Sequence, residues 1–139
     1  MTTNVSSLDA SIQKTIAILR DIEDEFGWTE RRQQSYAIVR GVLHALRDRF
    51  TVEQAAHFAA QLPLILQGVF YEGWRPANLP LRMHRTDFLD HIRSEFPFSL
   101  EIDFEGLVSY ALQVILEHMS PGEAEKIRKE IPADIAELF

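Results

Sequence analysis

Two stretches of this chain repeat one another. VLHALRDRFTVEQAAHFAAQLP spans residues 42–63 and ALQVILEHMSPGEAEKIRKEIP spans residues 111–132. A shift of 69 positions places Leu43 on Leu112, Leu46 on Ile115, Phe50 on Met119, Ala55 on Ala124, Leu62 on Ile131 and Pro63 on Pro132. Phe70 falls on Phe139 at the same shift. Upstream, a shift of 70 places Ile22, Glu25, Phe26 and Trp28 on Ile92, Glu95, Phe96 and Phe98. The one-residue change fits a loop after Trp28, where insertions are tolerated. Helix-start signals repeat as well. Thr51-Val52-Glu53-Gln54 has the form of a capping box, in which the hydroxyl accepts from a free backbone N–H and the glutamine reaches back. Ser120-Pro121-Gly122-Glu123 repeats the device with proline at the first helical position, where a missing N–H costs nothing. Two copies are too few for a solenoid, which takes about three or more. The pattern therefore predicts an all-α helical bundle built from two pseudo-symmetric helical repeats. It forms one domain over residues 1–139, with repeat one at about 8–70, a linker at 71–85 and repeat two at about 86–139.

Composition narrows the chemistry. With 139 residues the chain can bury a real core. Its lack of cysteine excludes disulfides, thiol catalysis and cysteine-based zinc sites, and fits a cytoplasmic protein. A formal charge of −7 argues against general affinity for nucleic acid, which takes a basic surface. No apolar run reaches the ~20 residues of a membrane helix, and the start MTTNVSSLDASIQ has no signal-peptide pattern.

Along the chain, residues 1–7 read as a frayed polar start. Leu8, Ile12, Ile16, Leu19, Ile22 and Phe26 recur every three or four positions and predict one apolar stripe on a first helix. Gly27 suits the left-handed position past its end, and Thr29 is the expected cap of the next helix. That helix is expected to turn Tyr36, Val39, Val42, Leu43, Leu46 and Phe50 inward. Ala55, Ala56, Ala59 and Ala60 predict a third helix with a close-packing face, and Pro63 ends it or opens a short fourth one. The aperiodic stretch Tyr71 to Arg85, with Gly73, Pro76 and Pro80, reads as the linker. Thr86 or Asp87 is expected to cap the next helix, and three further helices follow. Copy one ends QLPLILQGVFYEGW and copy two EIPADIAELF, so the first terminal helix is the better candidate for full burial.

The run from Gly41 to Pro76 carries three recognisable pieces: VLHALRDR (Val42 to Arg49), AAQLP (Ala59 to Pro63) and the YEGW turn (Tyr71 to Trp74) with Pro76 after it. In these the chain resembles bacterial proteins of domain-of-unknown-function family 2267, and the resemblance extends over both repeats. It implies an all-helical fold, and no reaction, cofactor or site residue.

Three groups of residues invite a chemical reading. His44 and Asp48, four apart, could form an acid–base pair; a surface ion pair is the plainer account. His84, Asp87 and His91 offer two histidines and a carboxylate, a set that can hold a metal. Against that, Asp87 has a ready role at a helix N-terminus, and no strong metal spacing occurs. No nucleophile elbow or phosphate loop is present either. The linker is the third group. Residues 73–85 hold Arg75, Arg82, Arg85 and His84 and no acid, a local basic segment beside Phe70, Tyr71 and Trp74. Arginine and aromatic side chains together are the usual anchors of binding surfaces. In the competing account Trp74 plugs the seam between the halves and the arginines pair with Asp21, Glu23, Asp24 and Glu25.

The expectation from the sequence is a non-catalytic cytoplasmic interaction module without cofactor. It would bind a protein partner or a second copy of itself, and neither nucleic acid nor membrane. The linker residues Phe70, Tyr71, Trp74, Arg75, Arg82 and Arg85, or an exposed apolar helix at 64–70, would carry the contact. One alternative is a small-ligand binder with an anionic or apolar ligand between the halves. The other is an enzyme or metal protein using His84, Asp87 and His91.

Overall fold

The computed structural model describes residues 2–138. Among these, eight α-helices and no strand form the fold: α1 (Ser6–Phe26), α2 (Arg32–Arg49), α3 (Val52–Ala59), α4 (Leu64–Tyr71), α5 (Arg85–Ser94), α6 (Phe104–Glu117), α7 (Pro121–Glu130) and α8 (Ala133–Ala136), with a 3₁₀ turn at Pro76–Asn78. No helix is long and apolar enough to cross a membrane.

Helix α2 is the centre. It packs on α1, α4, α5 and α6, and every residue from Gly41 to Arg47 is buried. A helix enclosed on several sides cannot keep one polar face in water. Its second face therefore buries His44 and Arg47, while Tyr36, expected inward, stays exposed. Gly41 lets α5 approach: a Cβ there would lie 3.2 Å from both Cγ2 and the carbonyl oxygen of Ile92.

Helix α1 meets the core on a face rotated from the apolar stripe. Leu8 is exposed, and Ser11, Thr15, Ile18, Leu19 and Ile22 are buried. The reason is a hydrogen bond. The Ser11 hydroxyl accepts from the backbone N–H of Ile65 at 2.9 Å, one of the free donors in the first turn of α4. Gly27 ends α1 at φ 66°, as its sequence position predicts. Thr29 does not cap α2, whose N-terminal flank is Arg31 without a side-chain bond. Nor is the N-terminus loose: Thr2 and Thr3 bond to the Asp9 carboxylate. Met1 lies outside the described residues.

Positions paired by the shift of 69 share burial. Leu43 and Leu112, Leu46 and Ile115, Ala55 and Ala124, Phe58 and Ile127, Leu62 and Ile131, and Leu66 and Ile135 are all buried. Both predicted caps form, with Thr51 accepting from the N–H of Gln54 and Ser120 from that of Glu123. The pairing of Phe70 with Phe139 lies outside the described residues. Of the α3 alanines, Ala55 and Ala59 are inside and Ala56 and Ala60 outside. The burial predicted for α4 holds on one face only: Leu66, Val69 and Phe70 are buried, while Leu64 is 54% exposed and Ile65 also faces solvent.

The two helical glycines in copy one separate packing from propensity. Gly41→Ala is expected to cost about 1–3 kcal/mol, because the added methyl meets α5 backbone. Gly68 has open space around its Cα, so Gly68→Ala should gain up to about 1 kcal/mol from helix propensity. Urea unfolding of the two variants checks the opposite signs.

Candidate functional site

The polar residues on the buried second face of α2 are Arg40, His44, Arg47 and Asp48, spaced to share one side of the helix. They meet the C-terminal end of α4, where the last carbonyls of any helix lack partners. His44 Nε2 lies 2.7 Å from the Val69 carbonyl oxygen. Arg47 Nη1 donates to the carbonyls of Phe70 at 3.0 Å and Glu72 at 2.7 Å. Side chains of one helix thus cap another. They also tie the VLHALRDR run to the YEGW turn, and so fix the root of the linker. The return end of the linker is held by the same helix, with the Leu81 N–H donating to the Asp48 carbonyl at 2.8 Å.

Charge balance closes the cluster. Glu95, just past α5, lies 2.7 Å from His44 Nδ1 and accepts from Arg40 Nη1 at 2.8 Å. Arg40 also bonds to the Glu72 carboxylate. Asp48 accepts from Arg47 Nε at 2.9 Å and pairs with His91 Nε2 at 2.9 Å. A carbonyl only accepts, so His44 Nε2 is the donor to Val69. Hydrogen bonding to Asp48 raises the His91 pKa above its ordinary value, against the opposing effect of burial. Burial pushes the Asp48 carboxyl up, but bonds from His91 and Arg47 outweigh it and hold the pKa below normal.

Several expectations are corrected here. His44 is not a surface residue and does not pair with Asp48: it is 3% exposed and faces Glu95 and Val69. The sequence placed it beside the buried side of an amphipathic helix, whereas α2 is buried on both sides. His84, Asp87 and His91 do not converge. Asp87 accepts from the His84 backbone N–H at 3.0 Å at the start of α5, and His91 faces Asp48. No group of three or more acidic or histidine side chains among the described residues is arranged to hold a metal. Thr86 lies within α5 rather than capping it.

The linker residues part company. Phe70 is fully buried and closes a series of rings, Phe50 to Phe58 to Phe70 to Tyr71 to Trp74, with centroids 5.6, 5.4, 5.2 and 5.1 Å apart. Tyr71 and Trp74 are half-buried at its outer end, and the Trp74 indole N–H is buried without an acceptor. Arg85 bridges the carboxylates of Glu105 and Glu137. Arg75 and Arg82 are exposed and form no ion pair among the described residues. The acids at the end of α1 do not meet the linker arginines: Glu23 takes Arg32 and Asp21 takes His118. A cleft of about 450 Å³ lies elsewhere, between α1, the turn from α3 to α4, and His118, lined also by Lys14, Ile18 and Leu62.

Sequence comparison places the chain. The family profile described as "Uncharacterized conserved protein (DUF2267)" matches residues 15–138, nearly the whole length, and the chain belongs to that family. No curated protein matches it.

Two tests address the cluster. A histidine with a raised folded-state pKa stabilises the fold fully below its unfolded value near 6.5, and that contribution fades as pH rises through the folded value. Asp48 contributes above its unfolded value near 3.8, and its contribution fades as pH falls through the lowered one. Urea midpoints of the wild type and His91→Gln should therefore differ most in weakly acid solution and converge at alkaline pH. Separately, Arg47→Met strands the Phe70 and Glu72 carbonyls and should cost on the order of 3 kcal/mol. Trp74→Phe removes a donor that has no acceptor, and should unfold no earlier than the wild type in a thermal scan.

Proposed function

We propose that this DUF2267 protein is a non-catalytic cytoplasmic interaction module, which presents the linker between α4 and α5 to a partner protein. The observation that carries the reading is a division of labour among polar residues. Those on α2, α4 and α5 close on one another and on the linker's two ends. Arg75 and Arg82, on the linker itself, have no partner among the described residues, and Leu81 beside them is exposed. Arginine with neighbouring aromatic and aliphatic surface suits protein recognition, because it forms forked bonds to carboxylates and loses little on desolvation. Doubling of one helical unit accounts for the shared burial register, and the linker is the segment where the copies join.

A second reading is favoured by the cleft beside Lys14 and His118. There a small anionic ligand would meet the Lys14 ammonium, with Ile18 and Leu62 alongside. A thermal-shift screen of small carboxylates against the wild type and Lys14→Glu separates that reading from the first.

For the first reading, Arg75→Glu combined with Arg82→Glu should reduce partner capture by tagged protein at least about tenfold, as expected for loss of anchor residues. The thermal midpoint should stay within a degree or two of wild type, since neither side chain supports the fold. Undiminished capture would remove the linker from the interface.

A further inference from the structure

We propose that the linker surface docks on the acidic face that the last turns of α1 share with α6 in a second copy of this chain. The inference rests on the linker reading above and names its partner.

Two unmatched surfaces of opposite sign carry it. On one side, residues 73–85 contain no acid, and Arg75 and Arg82 project without intramolecular ion pairs among the described residues. On the other, α1 and α6 pack together, with Phe26 edge-on to Tyr110 at 5.7 Å. Asp24 and Glu25 of α1 and Glu117 of α6 are exposed there, and none has an ion pair among the described residues. Burial first, and then Glu25, Asp21, Glu117 and Asp24, push the Tyr110 phenol above its ordinary pKa.

The placement of these acids is what calls for a cation. The C-terminal end of a helix carries partial negative charge, which basic residues in the last turn normally offset. Helices α2, α5 and α7 end on such residues: Arg47 and Arg49, His91 and Arg93, Arg128 and Lys129. Helices α1 and α6 have none, and add acids instead. Among the described residues the ion pairs at this end of α1 are His118 with Asp21 and Arg32 with Glu23, which leave Asp24 and Glu25 unmatched. An incoming arginine would meet these carboxylates. The two surfaces lie on different elements, so a twofold pair makes the contact twice, linker to acidic face and acidic face to linker. Each copy carries a net charge of −7, so the attraction is local and works against overall repulsion. Association is then weak and sensitive to salt.

Sedimentation of the full chain at millimolar protein tests this. In low salt the wild type is expected to dimerise, with association at least about tenfold weaker in high salt, where charges beyond a Debye length are screened. Arg75→Glu with Arg82→Glu should be monomeric, as should Asp24→Arg with Glu25→Arg. Mixing the two variants should restore a one-to-one dimer, because both contacts then pair opposite charges. Circular dichroism confirms folding, and the milder Arg75→Gln with Arg82→Gln should weaken the dimer in the same direction. A wild type that stays monomeric overturns the self-docking. So does a dimer indifferent to charge reversal, or a mixture that fails to associate. The linker reading itself fails separately, if capture of other proteins is unaffected by the Arg75 and Arg82 reversals.

Discussion

The carbonyls at the end of α4 depend on side chains from α2. A helix end buried against its neighbours must find donors, and here His44 and Arg47 supply them. This requirement places a histidine and an arginine in the middle of a buried helix. The buried Arg47 guanidinium in turn requires a carboxylate, which Asp48 beside it provides, while Glu95, just past α5, faces His44 and shares Arg40 with Glu72, just past α4. The hydrogen-bonded charges exact a desolvation cost, which good geometry and full pairing offset. What they secure is the relative placement of α2, α4 and α5, and the position at which the chain leaves α4.

Much of the architecture could be read from the residues. Apolar spacing foretold buried positions such as Ile22, Leu43, Leu46 and Phe50, because core packing follows helical periodicity. The capping box at Thr51, the Ser120 cap and the left-handed Gly27 are local signals that hold, whereas the reciprocal half of a box at Ser120 does not form because the Glu123 carboxylate pairs with His57. Where a tertiary contact competed, the reading slipped. Ser11 looks like a solvent-facing residue by type, yet it is buried because it serves the N-terminus of α4, a segment 54 residues later in the chain. Tyr36 was placed inward by a pattern that assumed one buried face.

The polar cluster was illegible for the same reason. His44 and Asp48 at helical spacing suggest each other, and nothing in their vicinity points to Glu95 or His91, which lie beyond the linker. The resemblance in VLHALRDR and YEGW did mark the pieces that touch, but as two separate runs. Only the coordinates reveal that the first supplies donors for the carbonyls just before and within the second. The aromatic and basic character of the linker was visible. Its partition was not: Phe70 is core, Arg85 is tied to Glu105 and Glu137, and only Arg75 and Arg82 are free of ion pairs among the described residues.

The linker is held at both of its ends by α2, at the Glu72 carbonyl through Arg47 and at the Leu81 N–H through the Asp48 carbonyl. Such a segment behaves as a closed handle rather than a tether. Its ends are fixed whatever its tip contains, so the entropy of closing it changes only slowly with length. Exposed residues between the anchors, such as Arg75 and Ala77, can therefore be exchanged at little expense to the helices beneath, whereas Trp74 packs on Tyr71. The same scaffold could then carry different handles, with its inner charges unchanged.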